Sequence, residues 1–326
     1  MGFSKQINGL DASADDRFVS QRTLKGHIHS DGVALHSGEA VSMTLIPGHA
    51  DSGIIFKRTD VDGQDALVPA TWDRVVDTRM CTTIANDDGV RVATIEHLMA
   101  AFAGCGIDNV LVEIDGPEVP VMDGSSGPFV MMIESVGVVE QDSPRRIVRV
   151  LKPISVEDGE SRASLTPGPY CTLDMEIDFD SRAVAQQALS VGLVNGTFCK
   201  ELAEARTFGF LHEVEQLRAA GLAKGGSLDN AVVVSGDEVL NEDGLRYDDE
   251  FVRHKTLDAV GDLYLAGGQI IGGFSATRTG HALNNALLRA LFADDDAWCY
   301  DMSRGDEVET AVDGGIFAET VSGVSV

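Results

Sequence analysis

One histidine and two aspartates recur at intervals of four residues in the second half of the chain. His254, Asp258 and Asp262 belong to a segment, residues 251–265, whose spacing of apolar residues predicts an amphipathic helix. Side chains four residues apart lie on the same helix face, so His254 and Asp258 can bind one divalent metal ion together. The pattern is short, and a solvated helix face would also produce it.

A second pair of titratable residues stands at the start of another predicted helix. Glu96 and His97 follow Thr94, which we predict to be the N-cap, and precede an apolar run that Gly104 is expected to end. A catalytic zinc ion takes three protein ligands and leaves one position open, so His97 could supply the third ligand. Glu96 could then accept a proton from water. The alternative is a capping carboxylate beside a core histidine.

A third histidine lies between a glycine and a predicted helix. His281 follows Gly280 and precedes a helix expected over residues 283–292, so its ring can be held accurately. A histidine placed in this way can act as a general acid or as an electrostatic stabiliser. The residue alone is weak support for either role. The sequence contains no Gly-x-Ser-x-Gly elbow for a serine nucleophile.

The composition limits the partners that the chain can bind. Its 326 residues include 52 acidic and 25 basic side chains, which give a formal net charge of −27. This charge repels nucleic acid and anionic lipid headgroups, so we expect no nucleic-acid partner and a locally basic site for any anion.

Five cysteines without a Cys-x-x-Cys pair favour a cytoplasmic location. No apolar run approaches the roughly 18 residues of a membrane span, so we expect no transmembrane segment.

Taken together, these segments resemble the family of UDP-3-O-acyl-N-acetylglucosamine deacetylases, the zinc enzymes of lipid A synthesis. The resemblance runs from about Thr23 to Trp298 and rests on many motifs in the same order. Besides the three segments above, these motifs include GVALHSG at 32–38, GIDN at 106–109, VPVMDGS at 119–125, ARTFGF at 205–210 and LNEDGLR at 240–246.

The resemblance implies a catalytic metal and a substrate. It implies that His97, His254 and Asp258 bind one zinc ion, with ferrous iron as the alternative metal, and that Glu96 is the general base for the attacking water. The implied reaction removes the N-acetyl group of UDP-3-O-acyl-N-acetylglucosamine and yields UDP-3-O-acyl-glucosamine and acetate. A zinc amidohydrolase that acts on another acylated amino sugar or nucleotide is the alternative, and a non-catalytic protein with a structural metal is a third hypothesis.

The resemblance also implies roles for four further residues. His281 is expected to stabilise the oxyanion and to protonate the leaving amine, and Asp262 to orient His281 and favour its charged form. Thr207 is expected to donate a hydrogen bond to the tetrahedral oxyanion. Lys255 is expected to pair with a phosphate of the UDP-linked acylated amino sugar, in keeping with the need for a local cation in an acidic protein.

The implied fold is α+β, with two similar domains that each contain a β-sheet and paired helices and pack helix to helix around the site. Each domain is expected to carry a small insert, and the protein to be a monomer. The predicted ranges are 1–20 for a polar N-terminal extension, 21–145 for the first domain with an insert at about 57–78, 146–305 for the second domain with a βαβ insert at about 206–234, and 306–326 for a C-terminal tail.

Apolar residues of the second insert are candidates to line a passage for the acyl chain. The alternative is that they form a local core. The candidates are Phe208, Phe210, Leu211, Val214, Ala231 and Val233.

Overall fold

The computed structural model describes residues 18–62, 65–194, 196–303 and 319–320. Most of the predicted N-terminal extension and of the predicted C-terminal tail therefore lies outside the described residues. Within these ranges the chain forms two halves, each a mixed sheet with helices. The predicted α+β fold class is confirmed. The domain and insert ranges stay predictions.

The described residues of the first half form two α-helices, one short 3-10 helix (Trp72–Arg74) and a five-stranded sheet in the order β2-β3-β9-β4-β5. Strands β4 and β9 run parallel, and the other neighbours run antiparallel. Its elements are β1 (Ser20–Leu24), β2 (Ile28–Val33), β3 (Ala40–Pro47), β4 (Ile54–Arg58), β5 (Leu67–Pro69), β6 (Val75–Asp77), β7 (Thr83–Ala85), β8 (Arg91–Val92), α1 (Glu96–Cys105), β9 (Val110–Ile114), α2 (Gly127–Val136) and β10 (Val138–Pro144).

The second half is built on a larger sheet, which contains the path β12-β13-β19-β14-β15-β21, with β11 beside β19 and β20 beside β11. Strand β19 runs parallel to β14 and to β11. Its elements are β11 (Arg146–Val150), β12 (Ile154–Asp158), β13 (Ser161–Thr166), β14 (Cys171–Asp178), β15 (Gln186–Gly192), α3 (Thr197–Glu201), β16 (Phe208–Phe210), α4 (Leu211–Ala219), β17 (Val232–Ser235), β18 (Glu238–Val239), α5 (Glu250–Tyr264), β19 (Gln269–Thr277), α6 (His281–Ala293), β20 (Trp298–Met302) and β21 (Glu319–Thr320).

Each half also carries a small three-stranded sheet. In the first half this sheet is β6-β7-β8, which spans Val75 to Val92 and so extends beyond the range predicted for the first insert. In the second half it is β16-β17-β18, where β16 and β17 are parallel and α4 connects them. The second small sheet therefore contains a βαβ unit. The short strand β21, within the range predicted for the tail, pairs with β15.

Helices α1 and α5 pack against each other between the two halves. A glycine permits their close approach, because a Cβ atom at Gly261 on α5 would lie 2.0 Å from the carbonyl oxygen of Glu96 on α1. The prediction of an amphipathic helix is wrong for α5: fourteen of its fifteen residues are buried, and only Lys255 is partly exposed. The helix contacts α1, α6, β14, β15 and β19, so it has no solvated face.

Both predicted ends of α1 are wrong. The helix begins at Glu96 after Ile95, while Thr94 has a φ of +55° and donates through its hydroxyl to Glu118. The helix continues past Gly104, where a Cβ atom would lie 2.0 Å from the ring of Phe198. It ends at Cys105, where the following glycine has a φ of +66° and its N–H donates to the carbonyls of Phe102 and Ala103.

None of the helices in the described ranges is both long enough and apolar enough to cross a membrane.

Candidate active site

The three predicted metal ligands converge where α1 crosses α5. Their ligand atoms all lie within 4.8 Å of one another, and all three residues are buried. The Nε2 atoms of His97 and His254 lie 3.5 and 3.3 Å from Oδ1 of Asp258, and the two imidazole rings stand nearly edge to face at a centroid distance of 5.0 Å. Two imidazoles and one carboxylate form a donor set that suits zinc or ferrous iron.

A carboxylate oxygen supports metal binding at this place. Oδ1 of Asp258 is buried and has no hydrogen-bond partner among the described residues, although it faces two imidazole nitrogens. A buried acceptor without a partner is costly, and a cation among the three side chains would remove that cost. The residues present therefore fit a divalent metal ion.

His254 is held in the state that a metal ligand requires. Its Nδ1 lies 3.0 Å from the carbonyl oxygen of Ala205, so that nitrogen carries the proton and donates, and Nε2 keeps its lone pair toward Asp258. Burial lowers the pKa of His254 to about 4, against the opposing charge of Asp258. The ring is therefore neutral at neutral pH.

Glu96 opens helix α1 and faces the same space as the metal-binding residues. Its Oε2 accepts a hydrogen bond from the backbone N–H of Thr82 at 3.0 Å, and its Oε1 lies 3.7 Å from Nε2 of His281. Burial raises the pKa of Glu96, although the nearby histidines His281 and His97 work against it. A buried carboxylate with a raised pKa is a stronger proton acceptor than an exposed one.

His281 is the first residue of α6 and is paired with an aspartate on α5. Its Nδ1 lies 2.8 Å from Oδ2 of Asp262, so Nδ1 carries a proton and Nε2 points toward Glu96. Burial alone would lower the pKa of His281, but Asp262 and Glu96 outweigh it and raise the pKa to about 9. The ring is therefore charged at neutral pH, as a proton donor has to be.

Lys255 lies beside the metal-binding residues on α5. Its Nζ donates to Oδ2 of Asp258 at 2.8 Å, and its side chain is 18% exposed. Burial works against its charge, but Asp258 raises the pKa of Lys255 overall. The ammonium is thus charged, reaches the edge of the site and contacts the carboxylate that was predicted to bind the metal.

Sequence comparison places this site in a known family. Residues 21–293 match the family model described as UDP-3-O-acyl N-acetylglycosamine deacetylase. The chain belongs to this family. It is 50% identical over 282 residues to a UDP-3-O-acyl-N-acetylglucosamine deacetylase of Shewanella frigidimarina, a match that covers 86% of this chain and 92% of the relative.

Two further relatives carry the same name. The protein of Teredinibacter turnerae is 50% identical over 295 residues, which cover 90% of this chain and 96% of the relative. That of Saccharophagus degradans is 49% identical over 292 residues, which cover 89% and 96%. The resemblance predicted from the sequence motifs is therefore confirmed.

In this member of the deacetylase family, the second small sheet borders the metal-binding residues. The ring of Phe208 packs on that of Phe251 at a centroid distance of 4.9 Å and lies 6.4 Å from the ring of His254. Thr207 precedes it, is half-buried, and donates its backbone N–H to the carbonyl of Gly124. The six residues proposed for the acyl passage are all half-buried on β16, on α4 and at or beside β17.

Several residues that support the site were not singled out from the sequence. Asn284 donates to Oδ2 of Asp262 at 2.9 Å, and Thr82 donates through its hydroxyl to Oδ1 of Asp262 at 2.5 Å. The carbonyl of Ala205 orients His254. Asn284 and Ala205 lie in motifs shared with the family, so the resemblance could have singled them out, but Thr82 has no signal outside the folded structure.

Proposed function

We propose that this chain removes the N-acetyl group from UDP-3-O-acyl-N-acetylglucosamine, giving UDP-3-O-acyl-glucosamine and acetate, a step of lipid A biosynthesis. The observation that carries the proposal is the convergence of three potential metal ligands with Glu96 and the Asp262–His281 pair. The relatives named as deacetylases share about half of their residues with this chain over most of their length. The nucleotide-linked substrate supports a cytoplasmic location, and the monomeric state stays a prediction.

The metal that His97, His254 and Asp258 would hold is zinc, with ferrous iron as the alternative. Two imidazoles and one carboxylate leave a coordination position open in a four-coordinate ion, as catalytic sites do. When bound, such an ion would act as a Lewis acid that polarises the amide carbonyl and makes water more acidic.

The side chains around the metal divide the proton transfers between them. Glu96 removes a proton from the attacking water, which adds to the carbonyl carbon of the acetamide. His281 stabilises the negative charge on the oxygen and then donates its Nε2 proton to the sugar nitrogen, while the carbon–nitrogen bond breaks and acetate leaves. Asp262 holds the other nitrogen of His281, and the hydroxyl of Thr207 donates to the oxyanion.

A deacetylation assay tests the proposed function directly. The metal-replete chain is incubated with UDP-3-O-acyl-N-acetylglucosamine, and acetate release is measured with and without a chelator. We expect release that the chelator abolishes and that zinc or ferrous iron restores. No release from a folded, metal-replete chain would refute the proposal, and the same assay on an acylated amino sugar without UDP tests the alternative substrate class.

We expect Lys255→Ala to raise KM for the UDP-linked substrate about ten-fold, because an ammonium that pairs with a phosphate contributes to ground-state binding. Added salt should weaken binding of the wild-type chain for the same reason. Steady-state kinetics on Lys255→Ala, with Lys224→Ala as a control cation on the second insert, measure this effect. A reduced kcat at unchanged KM would contradict phosphate pairing and would instead indicate that Lys255 acts through Asp258.

The second small sheet is proposed to form the acyl passage. Along β17, Val232 and Val234 are fully buried, whereas Val233 between them is half-buried and points to the other face of the sheet. Each methylene of an acyl chain that leaves water there would contribute about 0.8 kcal/mol, so a long chain can dominate affinity.

Val233→Phe is therefore expected to reduce kcat/KM for a long-chain substrate at least ten-fold more than for a short-chain one, because the larger side chain would narrow the passage. The measurement is a comparison of acyl-chain lengths on the variant and on the wild-type chain. Equal losses for both substrates would mean that Val233 is only part of a local core.

A further inference from the structure

A buried threonine next to the first small sheet contacts the carboxylate of the proposed general base and the carboxylate that holds the proposed general acid. Thr82 directly precedes β7 and is 2% exposed. Its backbone N–H donates to Oε2 of Glu96 at 3.0 Å, and its hydroxyl donates to Oδ1 of Asp262 at 2.5 Å. Its carbonyl accepts a hydrogen bond from the N–H of Ile95 at 3.4 Å. A single residue thus connects the first turn of α1 with α5.

We propose that Thr82 is a positioning residue that fixes the proposed general base and the partner of the proposed general acid relative to each other. This inference rests on the proposed function. Thr82 acts through Glu96 and Asp262 and needs no contact with the substrate. The role follows from its two donors, because one reaches the carboxylate of the proposed base, Glu96, and the other reaches Asp262, which holds the proposed acid, His281.

The hydroxyl of Thr82 completes the hydrogen bonds of Asp262. Oδ2 of Asp262 accepts from Nδ1 of His281 at 2.8 Å and from Nδ2 of Asn284 at 2.9 Å, and Thr82 is the donor to Oδ1. Without that donor, Oδ1 would be a buried acceptor with no partner among the described residues, and the carboxylate could rotate to relieve this cost. Rotation would move Oδ2 and would turn the imidazole of His281 with it.

The orientation of His281 matters because its other nitrogen faces the base. Nε2 lies 3.7 Å from Oε1 of Glu96, so the acid and the base approach the same small volume from α6 and α1. Proton transfer depends steeply on such geometry. The backbone N–H of Thr82 holds Glu96 at one side of this volume, and its hydroxyl holds the Asp262–His281 pair at the other.

The first small sheet holds Thr82 in place. All three residues of β7 are buried, and β7 pairs with β6 and β8 on its two sides. A buried strand held between two neighbours has little freedom, so it can present the preceding residue, Thr82, to α1 and α5 at a fixed position. The sheet then serves as the support that the proton-transfer groups require.

Three single variants test the role of the hydroxyl. Thr82→Val keeps the shape and the backbone N–H but removes the hydroxyl, and we expect kcat to fall roughly ten-fold, as the loss of one hydrogen bond to a charged group would produce. KM and metal content should stay at the wild-type values, and Thr82→Ser should restore kcat. Thr83→Val is the matched control, because the hydroxyl of Thr83 contacts the thiol of Cys81 and neither carboxylate.

A double-mutant cycle with Asp262→Asn separates positioning from a general structural role. If Thr82 acts through Asp262, Thr82→Val should lower kcat only slightly in the Asp262→Asn background. A structural defect would lower kcat there by the same factor as in the wild-type background. The inference would be overturned if the losses of kcat in the two single variants were additive, as free energies, in the double variant. A Thr82→Val variant with wild-type kcat would overturn it as well. If Thr82→Val does not fold, Thr82→Cys, which keeps the size and offers only a weak S–H donor, takes its place with the same expected results.

The activity of the wild-type chain separates a failure of the proposed function from a failure of the positioning role alone. An inactive, metal-replete wild-type chain refutes the proposed function. An active wild-type chain whose Thr82→Val variant is equally active refutes the positioning role alone.

Discussion

Glu96→Gln is expected to retain the metal ion and to lose at least ~10²-fold in kcat, a typical contribution of a general base. Glutamine has nearly the same shape, and its amide oxygen can still accept the hydrogen bond from the N–H of Thr82. The amide nevertheless cannot accept a proton from water. Since the carboxylate does not belong to the proposed ligand set, the metal content of the variant should equal that of the wild-type chain.

The same substitution should not destabilise the fold. Glu96 is 4% exposed, and burial raises its pKa, which means that its charge is costly inside the protein. A neutral amide of the same size removes that cost, so the melting temperature of Glu96→Gln should be equal to or above that of the wild-type chain. A loss of activity without a loss of stability is the pattern expected of a residue that does chemistry.

Glu118→Gln is the matched control for this experiment. Glu118 is also 4% exposed and accepts hydrogen bonds from the hydroxyl of Thr94 and the N–H of His36. The substitution Glu118→Gln therefore removes a buried carboxylate near the start of α1 without touching the metal-binding residues. The kcat of this variant should change far less than that of Glu96→Gln. Kinetics, metal analysis and thermal unfolding of both variants measure the difference. Full activity of a metal-bound Glu96→Gln would show that another group accepts the proton.

The part of the site on α5 follows from local sequence, because spacing of four residues within one helix determines which side chains share a face. His254, Asp258 and Asp262 could therefore be grouped before the fold was known. Their convergence with His97 could not be derived from spacing, since it depends on the crossing of α1 and α5 at Gly261. The resemblance to the family supplied that link.

The contacts that connect distant elements have no local pattern at all. Thr82 and Asp262 are 180 residues apart in the chain, and a single threonine before a short strand is not distinctive. The ends of α1 were mispredicted for a related reason. Gly104 was predicted to end the helix, but its lack of a side chain instead makes room for the ring of Phe198 from the other half of the chain. The glycine that follows the last helical residue is Gly106.

His281→Gln is expected to keep the metal ion and to lose on the order of 10²-fold or more in kcat, because glutamine cannot deliver a proton to the leaving nitrogen. The pH dependence provides the sharper test. His281 has to be protonated to act, and its pKa is raised to about 9, so activity should persist through neutral pH and fall as the pH rises through about 9. The requirement for ionised Glu96 should produce a separate limb at acidic pH, above the range of an ordinary glutamate.

Asp262→Asn should move the alkaline limb to lower pH. Burial favours the neutral imidazole, and Asp262 is the largest of the charges that oppose this effect, so its removal lets the pKa of His281 fall. Asparagine can still accept from Nδ1 of His281, so the ring keeps a partner while it loses the charge. The measurement is the pH profile of kcat/KM for the wild-type chain and for Asp262→Asn, with the NMR titration of His281 as an independent reading of its pKa. An alkaline limb that stays in place while the titration of His281 moves would mean that His281 is not the proton donor, and the role would have to pass to another group at the site.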